Sequence, residues 1–326
     1  MREAKLFRKV GEKIVCQLCW RFCRIRENES GYCKVRINKN GKLYTLTYGK
    51  LSALESRPIE IKPFFHFKPS STSMTFSTYS CNFDCAWCQN WNISKSLPFG
   101  KEVTPEYVVN SALKNKDTSL CASLNEPTLL YEFLLDTFVI GRKNGLLNTI
   151  VSNGYMSIMA LKNLKRAGLD ALKVDIKGGK NTYEVLEARD DYVWRIVKEA
   201  LKLGIHVEIV NLVITDVNED QIEEVIQKHL KFANQDIPIH FTRYFPAYKF
   251  RREQTRIETL ERAVYTAKRE GIKFAYIGNV PGHKYEHTYC PNCGEVLIKR
   301  YSYIVLEKRI KDGRCWKCGE KIYGVW

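Results

Sequence analysis

The chain has 326 residues, 44% hydrophobic and 27% charged, with 12 cysteines and a formal net charge of +16. That length suits one large domain with small appendages, and the hydrophobic share suits a folded soluble protein. The longest apolar runs, such as 133–140, are too short and too polar to span a membrane, and the basic N-terminus lacks the apolar core of a signal peptide. Twelve cysteines then predict metal sites in a reducing cytoplasm rather than disulfides.

Residues 1–70 read as a small metal-binding module followed by a linker. Cys16, Cys19, Cys23 and Cys33 follow the spacing C-x2-C-x3-C-x9-C in short loops. Four thiolates make a complete tetrahedral set, so zinc is the first expectation and a second [4Fe–4S] cluster the alternative. A hairpin over 35–38 and 42–47 is predicted around Lys39-Asn-Gly41. Three prolines within 57–69 predict an extended linker. This segment is also the basic one: residues 1–70 hold 16 Lys/Arg against 6 Asp/Glu, a formal +10. A one-sided excess on an appendage points to a polyanion or an acidic protein face.

Residues 71–282 alternate short apolar runs with helical patterns and are nearly neutral, 27 basic against 25 acidic residues. Strands are predicted over 73–78, 119–124, 148–152, 171–176, 206–214 and 238–243, with a closing strand over 273–277. Helices are predicted over 104–116, 129–143, 157–167, 181–203, 219–234 and 258–270. Thr104-Pro105 reads as an N-cap with proline at the first helical position, and Gly204 and Gly271 as C-caps. Six strand–helix units in a row imply an α/β fold with a parallel sheet: a partial (β/α)6 TIM-like barrel.

The loop after the first of these strands is Ser80-Cys-Asn-Phe-Asp-Cys-Ala-Trp-Cys-Gln-Asn90. Cys81, Cys85 and Cys88 give C-x3-C-x2-C with no fourth cysteine nearby. A [4Fe–4S] cluster held by three thiolates keeps one iron open, and an open metal position is where chemistry occurs. The next three strand ends are also polar: Ser123-Leu-Asn-Glu-Pro-Thr128, Val151-Ser-Asn-Gly-Tyr155 and Val174-Asp-Ile-Lys177. Four such ends in succession mark one rim of a βα fold as a site. Cys121, alone in an apolar run, reads as a buried structural thiol. Glu208 and Arg243 lie on later strands, where each serves equally well as an interior ligand or as a structural ion-pair partner. His283 and His287 read as solvated.

Residues 283–326 carry Cys290-Pro-Asn-Cys293-Gly and Cys315-Trp-Lys-Cys318-Gly, 21 residues apart between the inner cysteines, with 9 basic and 5 acidic residues. Two C-x-x-C-G knuckles at this distance predict a zinc ribbon.

On these motifs the chain resembles radical S-adenosylmethionine (SAM) enzymes of the pyruvate formate-lyase activating enzyme type over about residues 72–280. Over its whole length it resembles the radical SAM component of the AmmeMemoRadiSam system. The resemblance implies a [4Fe–4S] cluster on Cys81, Cys85 and Cys88 that cleaves SAM to a 5′-deoxyadenosyl radical. It implies cofactor contacts from Trp87 near the adenine, Asn125 and Glu126 at the SAM amino group, and Ser152 and Asn153 near the ribose. Asp175 and Lys177 would lie near the sulfonium or a cation, and Asn279 near the adenine. The chain departs from activating enzymes in having Ser80 where they have glycine and Val151 where they have aspartate. The expected function is hydrogen abstraction from a macromolecular substrate, protein activation or modification by an activase-like oxidoreductase or modifying transferase, with a ferredoxin or flavodoxin as electron donor. Modification of RNA, above all tRNA, is the alternative, and a non-catalytic multi-metal scaffold or electron carrier the alternative of another class.

Overall fold

The computed structural model describes residues 1–326. Eight strands, β1 Ala53–Pro58, β2 Thr72–Ser77, β3 Ser119–Ala122, β4 Leu147–Ser152, β5 Leu169–Ile176, β6 His206–Val213, β7 Ile239–Arg243 and β8 Ala275–Gly278, form one sheet in the order β8-β7-β6-β5-β4-β3-β2-β1. The pairs β2–β3, β3–β4, β6–β7 and β7–β8 are parallel. Strands β2 to β8 match the seven expected runs to within two residues. The edge strand β1 was not anticipated. Helices α1 Pro105–Lys114, α2 Tyr131–Lys143, α3 Ile158–Ala167, α4 Lys180–Val185, α5 Asp190–Lys202, α6 Ile222–Phe232 and α7 Ile257–Arg269 fill the connections. Strand β3 is buried at every residue, as strands covered on both faces must be. The Thr104 side chain accepts from the Tyr107 N–H with Pro105 at the first helical position, and Gly204 and Gly271 take φ of +67° and +103° after α5 and α7. The single helix expected over 181–203 is two helices, α4 and α5, broken at Leu186–Arg189, where Glu187 takes φ +50°.

The chain divides into two compact units. The first comprises Met1–Arg57 and Thr72–Leu172. In it the N-terminal module forms two small antiparallel sheets, Phe7–Val10, Lys13–Cys16 and Arg24–Ile25 in one, Arg2–Glu3, Arg36–Lys39 and Lys42–Thr45 in the other. The expected hairpin turns at Asn40 and Gly41, both with positive φ, as a two-residue turn requires. The module is tied to α2 and to the loop after β4. Arg36 Nη2 meets Glu132 Oε1 at 2.6 Å with both side chains buried, Lys5 N donates to the same oxygen, Trp20 N donates to Tyr155 O, and Ser157 N to Leu18 O.

The second unit comprises Pro58–Ser71 and Lys173–Trp326. The proline-rich segment is not an extended linker. It forms a 3-10 turn at Ile59–Ile61 and then buries Phe64, Phe65, His66 and Phe67. The amides of Phe65 and His66 donate to Glu208 at 3.0 and 2.9 Å. The same carboxylate meets His206 and His240 Nε2 at 3.1 and 2.9 Å and Lys173 Nζ at 3.8 Å. Glu208 is therefore a structural partner at the start of β6. The C-terminal segment carries the strands Thr288–Tyr289, Val296–Tyr301 and Ile304–Lys308, and packs Cys290, Leu297, Ile298, Cys315 and Ile322 against Phe65, Phe274 and Tyr276. His283 meets Glu261 at 3.2 Å, and His287 Nδ1 accepts from Arg300 N, so neither is simply solvated. No helix is long and apolar enough to cross a membrane.

Candidate metal centres and cofactor site

In the first unit, β2 runs out into the loop that carries Cys81, Cys85 and Cys88. Asn125, at the end of the β3 loop, clamps this exit: its Oδ1 accepts from Thr78 N at 3.1 Å and its Nδ2 donates to Ser80 O at 2.8 Å. Ser80 takes φ +70°, a left-handed conformation that favours glycine. The serine hydroxyl donates to Cys33 O at 2.5 Å, and its amide to Ile93 O. Leu124 is also left-handed, at φ +72°, and its carbonyl accepts from Asn90 Nδ2 at 2.6 Å. Residues in such backbone regions collect where a site over-determines them. The Phe83 amide donates to Cys81 Sγ at 3.4 Å. Lys95 holds the loop from outside through Asp84 and Phe83 O. Cys85 and Trp87 are buried, and Cys81 and Cys88 half-buried.

Glu126 gathers the neighbouring strand ends. Its carboxylate is 1% exposed and accepts from Thr128 N at 3.0 Å, from Thr128 Oγ1, from Ser152 Oγ at 2.8 Å and from Asn153 N at 2.8 Å. Burial pushes this carboxyl up, and those donors pull it back. Asn153 in turn donates from Nδ2 to Asn82 Oδ1 at 2.7 Å and lies 3.9 Å from Cys81 Sγ. Glu126, Ser152 and Asn153 thus form one hydrogen-bonded group joined to the cysteine loop, and Asn125 bonds the start of the same loop. Asn82, which the motifs did not single out, is the link. Its only signal in the sequence is its place beside Cys81.

The second unit holds the other candidates. Lys177 Nζ meets Asp175 Oδ2 at 2.6 Å, while Asp175 Oδ1 is buried and accepts no hydrogen bond. Asn279, exposed and at φ +61°, donates from Nδ2 to Arg243 O at 3.0 Å. Arg243 itself donates to Thr255 O at 2.7 Å.

The C-terminal cysteines come together as a metal-ligand set. The Sγ atoms of Cys290, Cys293, Cys315 and Cys318 all lie within 4.8 Å of one another. The two knuckles repeat one geometry, with Gly294 N donating to Cys290 O and Gly319 N to Cys315 O, and φ of +72° and +75° at the glycines. In the first unit, Cys16, Cys19, Cys23 and Cys33 line one small cavity with Asn82 and Arg36.

Residues 75–229 match the family model described as the radical SAM superfamily. An uncharacterized protein of Methanocaldococcus jannaschii is 42% identical over 99% of both chains. Among solved structures, Streptococcus suis SuiB bound to S-adenosylmethionine superposes with a TM-score of 0.50 at 14% identity over 62% of this chain, and the chain spans half of SuiB's length. A domain of pyruvate-formate lyase-activating enzyme from Bacteroides vulgatus gives a TM-score of 0.43 at 15% identity, over 49% of this chain and 99% of that one. The family-model match, with the three-cysteine loop and the strand-end group that braces it, shows that the chain belongs to the radical SAM superfamily of enzymes.

Proposed function

We propose that the protein reductively cleaves SAM at a [4Fe–4S] cluster on Cys81, Cys85 and Cys88 and abstracts hydrogen from a macromolecular substrate, as an activase-like or modifying enzyme of the AmmeMemoRadiSam type. The observation that carries this is the cysteine loop held against the Glu126–Ser152–Asn153 group. Three thiolates leave one iron for SAM, and cleavage there supplies a 5′-deoxyadenosyl radical. The residues suit the cluster: the Phe83 N–H donates to Cys81 Sγ, Cys85 is buried, and the loop is fixed at both ends. In this reading Asn125 and Glu126 act mainly by holding the turn that offers Ser152 and Asn153 to the cofactor, and Trp87 keeps the role near the adenine that the resemblance implies. Asp175, Lys177 and Asn279 keep the cofactor roles the resemblance implies, and the unsatisfied Asp175 oxygen supports a cationic contact there. The partial (β/α)6 barrel belongs to the same reading, as do zinc in the C-terminal knuckles, a cytoplasmic setting and a ferredoxin or flavodoxin as donor.

A second reading, an RNA substrate, is favoured by one observation. Tyr301, Tyr303, Ile304, Leu306 and Trp316 are exposed on the C-terminal module among Lys299, Lys308 and Arg309. Exposed rings beside cations suit stacked bases and phosphates.

The test is anaerobic reconstitution followed by reductant and SAM. The expected result is slow formation of 5′-deoxyadenosine that Cys81→Ala abolishes. A reducible cluster that binds no SAM would overturn the proposal. The substrate class follows from salt: RNA binding should weaken steeply and be cut by Arg24→Glu and Arg26→Glu, both exposed, whereas a protein partner should show a shallow slope. Arg21 is unsuited to that test because it stacks on Tyr32 at 3.9 Å and bonds Asn82 O.

A further inference from the structure

We infer that the outer face of the N-terminal sheet formed by Phe7–Val10, Lys13–Cys16 and Arg24–Ile25 binds a single-stranded segment of RNA, with one base against Phe22 and its flanking phosphates on Arg8 and Arg24. The inference deepens the RNA reading and rests on it.

The register of the sheet builds this face. Arg8 pairs with Val15 and Val15 with Arg24, so the three stand in one row across the strands. Side chains alternate between the two faces of a strand. Ile14, Cys16 and Ile25 turn into the module and are buried, while Arg8, Lys13 and Arg24 turn outward and are exposed. The backbones of Arg8 and Arg24 are two strand spacings apart, about 10 Å. Between them lies a depression of about 180 Å³, lined by Arg8, Val10, Val15, Gln17, Phe22 and Arg24. At about 30 Å³ for each liquid water, that is the volume of roughly six waters, the scale of one base and not of a duplex.

The lining decides the occupant. It contains no carboxylate, and neither the Arg8 nor the Arg24 side chain forms an ion pair. Their neighbours are engaged: Arg26 faces Glu29, and Arg21 bonds Asn82 O. Exposed guanidiniums without an acid are ready to grip phosphate in two-pronged fashion. Phe22 is 39% exposed and takes φ +42°, a costly backbone for a bulky residue, and Trp20 stands at right angles to its ring 5.6 Å away. The ring is thus held outward beside the cations. An acidic peptide would satisfy the arginines but brings no planar group for Phe22, and a duplex keeps its bases stacked. An unpaired base with its phosphates satisfies both. The formal +10 of residues 1–70 supplies the attracting field.

The experiment titrates the full-length protein into a fluorescein-labelled single-stranded RNA dodecamer and follows anisotropy at several salt concentrations. Arg8→Ala/Arg24→Ala should weaken binding about tenfold or more and reduce the slope of log K against log salt by about 1.4, at about 0.7 for each phosphate on a single strand. Phe22→Ala should weaken binding about tenfold and leave the slope unchanged, because stacking releases no counterions, and Phe22→Trp should restore it. Damage to the fold would move affinity and slope together in all three variants. RNA binding that neither alanine variant changes overturns the inference and leaves the RNA reading standing, with the docking surface elsewhere. A wild-type chain that binds no RNA overturns both. Competition by polyglutamate as strong as that by unlabelled RNA, with Phe22→Ala silent, makes the face a contact for acidic protein and also overturns the inference.

Discussion

At the scale of single residues, the strand-end motifs serve the fold first. The Asn-Glu-Pro segment was expected to reach SAM directly, yet the Glu126 carboxylate already accepts four hydrogen bonds within the protein. An amide in its place has one acceptor oxygen and would turn an NH2 toward the other donors. Glu126→Gln should therefore cost about 1–3 kcal/mol of stability and loosen the Ser152–Asn153 turn. The expected readout is a lower denaturation midpoint together with weaker SAM binding; an unchanged midpoint would show that the buried contacts carry no weight. Ser80 gives a sharper comparison. Ser80→Ala keeps the left-handed backbone and loses the bond to Cys33 O, whereas Ser80→Gly loses the bond but frees the backbone. The glycine variant should be the more stable of the two by about 1 kcal/mol in unfolding measurements. The sequence showed that Ser80 and the motifs matter. It did not show hydrogen-bond direction, because that depends on which strand ends become neighbours.

At the scale of elements, the strands and most helices were legible because apolar period, N-caps and C-cap glycines agree with one another. The misreadings have local causes. The break between α4 and α5 falls at Leu186–Arg189, with no glycine or proline to announce it. The proline-rich segment looked like a linker because proline density fits a 3-10 turn as well as an extended chain, and the aromatics it buries find their partners far along the sequence. The docking of the N-terminal module was equally hidden. Arg36 and Glu132 are 96 residues apart, and their side chains are 1% and 3% exposed. Removing one partner strands the other charge in the interior, so Glu132→Ala should cost about 3–5 kcal/mol, and a paired Arg36→Met/Glu132→Leu exchange should recover most of it. Thermal unfolding of the two variants checks this. A single variant as stable as the wild type would mean that the module is not held by this pair. Because Arg36 also lines the cysteine cavity, the single variant should lower metal retention in the N-terminal module as well.

At the scale of the whole molecule, charge is partitioned: the basic excess sits on the terminal segments, while the second unit buries several titratable groups in its interior. Burial holds His66 down to about 4, His229 to about 4 and His240 to about 3, with the Lys173 charge adding to the last. For Glu208, burial alone would raise the carboxyl, but Lys173, His206 and His240 outweigh it and hold it well below the ordinary range. In the unfolded chain each histidine takes its proton near 6.5, and in the folded chain only near 3 to 4. Between those values the unfolded state binds more protons, so stability falls as pH falls through 6.5, by up to about 1.4 kcal/mol per pH unit for each histidine. Glu208 acts in the same direction at lower pH, since its contribution is present above its unfolded value and lost as pH falls through the folded one. Clusters and thiolate sites are themselves acid-labile, so the contribution is best isolated by comparison. His229 is the cleanest choice: it is fully buried, its Nε2 meets Asn234 O at 3.1 Å, and no charged side chain contributes to the hold on its proton. His229→Leu should be about as stable as the wild type, or less stable, at pH 7.5. Its melting temperature should then fall less steeply from pH 6.5 to 5, so that the two curves converge or cross. Parallel curves over that range would mean that His229 is protonated in the folded protein as readily as in water, and that its burial exerts no hold on its proton.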